Sequence, residues 1–111
     1  MQISQQELDG GVLKVTLSGP FDIAGAADVD VPFSVIGGRR DKVIVDFSDV
    51  DFLASIGVRV LVKAAKSMGN RGGTMALFNV GEAPRKVLAS TGVDTIIAVT
   101  EDEPSAIAAV S

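Results

Sequence analysis

The stretch from Val45 to Met68, VDFSDVDFLASIGVRVLVKAAKSM, decides the reading of this chain: a buried strand, a short turn, then a helix opened by Ser55. Val43, Ile44 and Val45 with Phe47 form a short β-branched run flanked by charge, the composition of a central strand covered on both faces. Beyond the turn, Ile56, Val60 and Ala64 with Val58, Leu61, Val62, Ala65 and Met68 make a broad apolar surface at helical spacing. Arg59, Lys63 and Lys66 recur at i, i+4 and i+7, so one narrow face stays basic. Ser55 lies four residues before Arg59, which sets its hydroxyl and that guanidinium on the same side of the first turn.

Upstream, Ile3 to Leu8 reads as a first strand, Asp9-Gly10-Gly11 as a turn, and Val12 to Leu17 as a second strand, together an N-terminal hairpin towards one edge of the sheet. Leu13, Val15 and Leu17 alternate with Lys14, Thr16 and Ser18, giving one apolar and one more polar face. Gly19-Pro20-Phe21-Asp22 closes that strand, and Asp22 is placed to cap a helix through Ile23, Ala24, Ala26 and Ala27. Pro32 is expected to bend or interrupt this helix, which ends near Gly37-Gly38. Arg39-Arg40-Asp41-Lys42 reads as a solvated, charged connector.

Downstream, Gly69 to Gly73 stops the second helix, and Thr74 to Asn79 reads as the next strand, joined by a parallel crossover. Gly81 to Ala89 restarts a helix, Ile96 to Val99 a short strand, and Glu101 to Val110 a closing helix. The order is β-β-α-β-α-β-α-β-α, an α/β fold with a mixed β-sheet and about four helices mostly on one side.

The 111 residues suit one domain over 1–111, and no composition shift suggests a second. No apolar run reaches the roughly 18 residues that would suggest a membrane span. Ten basic against fourteen acidic residues give a net charge of −4, which repels nucleic-acid phosphates and argues against direct nucleic-acid binding. Without Cys, His, Trp or Tyr, thiol and imidazole chemistry and the commonest zinc ligands are excluded, and no nucleophile-base pair is recognisable, so the chain is read as no enzyme. Asp46-x-x-Asp49-x-Asp51 lacks the ligand series of a Ca²⁺ loop, and the Gly37-Gly38 and Gly72-Gly73 pairs lack the lysine of a phosphate loop, so neither metal nor cofactor is expected. The first residues carry neither the basic start nor the apolar centre of a secretory leader, which points to the cytoplasm.

The segment DVDFLASIGVRVLV resembles the signature of the STAS domain, shared by bacterial anti-sigma factor antagonists and the cytoplasmic tails of sulfate transporters. Leu17 to Asp22 is similar to that family's turn after its second strand, and the resemblance spans essentially the whole chain. It implies a STAS-like fold and a partner-switching role, in which the unmodified domain binds a kinase-like anti-sigma factor until that kinase phosphorylates a serine. The family's phosphoserine falls on Ser55, its glycine on Gly57 and its loop aspartate on Asp22; Ala54 and Ile56 stand where the family often has an aspartate and a second hydroxyl. Asp22, Ser55, Ile56, Gly57, Arg59 and Lys63 are the expected partner-binding residues.

Plainer roles stand beside these. Ser55 as a helix N-cap is worth about 1 kcal/mol without signalling. Gly57 serves close packing or close contact with a partner, and Arg59, Lys63 and Lys66 read equally as a solvated face. A constitutive alternative is a STAS subunit of a bacterial lipid-transport ABC complex, paired with its ATPase and unphosphorylated, which Ala54 and Ile56 suit.

Overall fold

The β-branched run at Val43 to Val45 occupies the third of five strands, as its composition requires. The computed structural model describes Met1–Ser111. Its elements are β1 (Gln2–Glu7), β2 (Leu13–Ser18), α1 (Ile23–Arg39), β3 (Lys42–Asp49), α2 (Ser55–Gly69), β4 (Thr74–Phe78), α3 (Glu82–Thr91), β5 (Ala98–Val99) and α4 (Glu103–Val110). The sheet order is β1-β2-β3-β4-β5, with β1 antiparallel to β2 and the remaining pairs parallel. The opening hairpin therefore forms one edge, and the α/β order matches the pattern in the sequence.

The alternation of β2 sends Leu13, Val15 and Leu17 into the main core, where they meet Val43, Val45 and Phe47 of β3. Helices α1, α2 and α3 cover this face through Val29, Phe33, Leu61, Met68 and Leu88. The other face is smaller: Val12, Ile44, Ala76 and Phe78 pack under Ala106 and Val110 of α4. Three helices on one face and one on the other explain why β3 is apolar on both sides.

Three details differ from the sequence reading. α1 runs unbroken through Pro32, because Val29, Phe33 and Ile36 on both sides of it are buried and hold the helix to the sheet against a proline penalty of about 3 kcal/mol. The strand expected from Ile96 shrinks to Ala98–Val99. Gly92 turns left-handed at φ 73° and Val93–Thr95 form a tight 3-10 turn, so Ile97 is buried from a turn while Ile96 faces out. The charged connector is exposed at Arg39 and Asp41, but Arg40 within it is engaged. Arg40 forms a two-pronged ion pair with Glu7, and Arg71 donates to the carbonyls of Gly37 and Arg40 at 2.7 Å each.

Candidate functional site at the paired helix starts

Parallel strands β2 and β3 finish at the same end of the sheet, so the loops that follow lie side by side. Three backbone hydrogen bonds fasten them: Gly19 N–H donates to the Asp49 carbonyl (3.1 Å), Phe21 N–H to the Phe52 carbonyl (2.8 Å), and Ala54 N–H to the Phe21 carbonyl (2.9 Å). Phe21 and Leu53 form an isolated parallel bridge. Two of the acidic residues nearby are spent locally: Asp49 accepts from the Ser18 hydroxyl (2.6 Å), and Asp46 accepts from the Ser48 N–H (2.9 Å). The result is a hydrogen-bonded double loop from which α1 and α2 start together.

The two starts are finished differently. Asp22 caps α1 as expected, its Oδ1 accepting from the Gly25 N–H at 2.8 Å. For α2 the N-cap is Ala54, not Ser55, and no side chain caps it. The bond from Ala54 to Phe21 holds residue 54 extended at φ −92°, ψ 162°, so the helix begins one residue later. Ser55 is thus the first helical residue, exposed, in a turn whose leading N–H groups no side chain satisfies.

Around Ser55 the expected residues separate into two kinds. Arg59 and Lys63 are exposed, and Ile56 is half-buried; all three line a groove between α1 and α2. Lys63 Nζ lies 3.7 Å from Asp30 on the facing helix, whereas Arg59 has no acidic partner. Gly57 is buried instead: a β-carbon there would meet the side chains of Phe21 and Leu53 at 3.0 Å or less, so its visible role is packing. Asp22 is occupied by its cap.

Residues that the sequence reading passed over complete the site. Ile23 is 77% exposed and Phe52 53% exposed, one at each helix entrance, which makes the rim of the double loop apolar. An aromatic residue directly after Asp51 in the turn was a visible sign for Phe52; Ile23 carried none, because a capped apolar helix start looks like core.

A STAS domain family model matches residues 4–106. The chain belongs to the STAS domain family. This STAS domain is similar in structure to an anti-sigma factor antagonist from Mycobacterium paratuberculosis, at 25% identity and TM-score 0.86, covering 98% of this chain and 92% of that one. The Bacillus cell fate determinant SpoIIAA in its phosphorylated form shares the fold at 19% identity and TM-score 0.73, with coverage of 97% and 98%. A sulfate transporter family protein from Wolinella succinogenes shares it at 20% identity and TM-score 0.77, with coverage of 94% and 88%. Among curated protein sequences nothing matches this STAS domain. No helix in it is long and apolar enough to cross a membrane.

Proposed function

We propose that this STAS domain, acting as one unit over 1–111 in the bacterial cytoplasm, is a regulatory protein-binding module: an anti-sigma factor antagonist. It docks a kinase-like anti-sigma factor through Ser55, Ile56, Arg59 and Lys63, and phosphorylation of Ser55 by that partner ends the complex. The observation that carries this reading is the placement of Ser55 as an exposed, uncapped first residue of α2 with Arg59 one turn on. A phosphate there adds about −1.5 to −2 charges where the helix dipole favours them, so the fold tolerates it. A partner surface matched to the neutral hydroxyl does not. The family likeness to anti-sigma factor antagonists supports the same direction. The role needs no metal, nucleotide or catalytic step from this chain; any ATP belongs to the partner.

The test is phosphosite mapping on protein from its own cells, before and after phosphatase, followed by affinity measurements against the kinase-like anti-sigma factors of the same organism. Ser55→Asp should bind at least about tenfold more weakly, with thermal unfolding nearly unchanged, while Ser55→Ala binds constitutively. Equal affinity of both variants and the wild type would sink the proposal.

One observation favours a second reading. Ile23 and Phe52, exposed beside Ala54 and Ile56, give the double loop an apolar rim suited to a permanent interface. In that reading the domain is an unphosphorylated subunit paired with the ATPase of an ABC transporter, and stable copurification with such an ATPase decides for it.

A further inference from the structure

Between α1 and α2 runs a groove of about 350 Å³ in which five of the eight lining residues are apolar. Buried Ala26 and Val60 belong to its floor, and Ile23 and Ile56 flank the end where both helices begin. The Lys63–Asp30 pair marks the other end, beyond which the cleft between the same helices turns polar with Ser34 and Ser67. Arg59 stands on the wall with no acidic partner. Nothing in the fold explains why Ile23, the most exposed large apolar residue of the chain, is left at this mouth.

We propose that the groove binds a medium-chain carboxylate, with the alkyl tail between Ile23, Ala26, Ile56 and Val60 and the carboxylate on Arg59. Charge selects the head group. Asp30 is answered by Lys63, so the uncompensated charge on the groove is the Arg59 cation, and the uncapped positive end of the α2 dipole lies near it, whereas that of α1 is answered by Asp22. Size selects the tail. From Ile56 to Lys63 the helix rises about 10 Å, which accommodates a chain of roughly eight to ten carbons. A groove of 350 Å³ is also within the range of small-molecule sites, about 300 to 1,000 Å³. The site shares Ile56 and Arg59 with the surface proposed above to dock a partner, so ligand and partner would compete there, but carboxylate binding itself needs no modification of Ser55.

The experiment is a methyl-resolved NMR titration of the whole chain with decanoate, octanoate and decyltrimethylammonium, each kept below its micelle concentration. Decanoate should produce saturable shifts at Ile23, Ala26, Ile56 and Val60. Octanoate should bind about fivefold to tenfold more weakly, because two buried methylenes are lost from a half-open groove. Arg59→Glu should weaken decanoate about tenfold or more. Ala27→Trp, which places an indole in the groove from an exposed helix position, should abolish the shifts without lowering Tm. Absence of saturation, shifts away from the groove, equal binding of the cationic amphiphile, or undiminished binding by Ala27→Trp would each overturn the proposal. So would protection of these methyls by a protein partner but not by decanoate.

Discussion

A β-carbon on Gly57 would lie 2.7 Å from Cδ1 of Phe21, closer than real side chains come. Phe21 is fully buried, tilted against Phe47 at 6.4 Å, and its backbone holds the loop that starts α2. Gly57→Ala gains up to about 1 kcal/mol in helix propensity. It also overpacks a core position, at about 1 to 3 kcal/mol. The ring is hemmed in and the second effect should win. Urea denaturation is expected to show a net loss of about 1 to 2 kcal/mol, with amide shifts spreading to Ala54 and Ser55.

Ala54 has the extended conformation of an N-cap and no side chain to do the capping. Ala54→Ser or Ala54→Asp should therefore stabilise the domain by about 1 kcal/mol, read as a rise in Tm. A neutral or negative change in both would mean that the half-buried position has no room for the new oxygen.

Asp22 is the mirror case. Asp22→Ala leaves the Gly25 N–H without its acceptor and should cost about 1 kcal/mol, while Asp22→Asn retains most of the cap. Chemical denaturation of the two variants side by side separates the acceptor from the charge.

The Glu7 carboxyl is held below the usual glutamate range, first by its hydrogen bonds from Arg40 and then by that residue's charge. A carboxyl with a depressed folded value contributes stability that is present above the unfolded value and lost as pH falls through the folded one. The wild type should accordingly exceed Glu7→Gln by a constant margin near neutral pH. That margin should shrink as acid carries the solution below the ordinary glutamate range. Parallel pH–Tm curves would show that the pair makes no contribution.

How far the sequence speaks depends on the distance over which each feature is decided. The core of β3 and the body of α2 were legible, since β-branched runs and helical spacing are local. The Asp22 cap was legible for the same reason. The start of α2 at Ser55 was legible, but not that Ala54 rather than Ser55 takes the cap position, because what fixes it is a bond from Ala54 to Phe21 in another loop. The unbroken course of α1 through Pro32 was not legible, since the burial of Val29, Phe33 and Ile36 that outweighs the local penalty is decided by the sheet. The Arg40–Glu7 pair and the groove required elements distant in sequence to be laid side by side. Ile96 and Ile97 look alike on paper, yet one is half exposed and the other fully buried, because a 3-10 turn rather than a strand delivers them.

The second face of the sheet has a single roof. Only α4 covers Ile44, Ala76 and Phe78, with Ala106 and Val110, and the cluster they form has six buried residues against twenty-four on the opposite side. Thermal fluctuations should then lift α4 well before they part α1 from α2, and the strands would remain assembled meanwhile. Amide exchange ought to proceed in two tiers, with the C-terminal helix as the quick one. The surface that carries Ser55 would thus stay intact in a molecule already half undressed behind it.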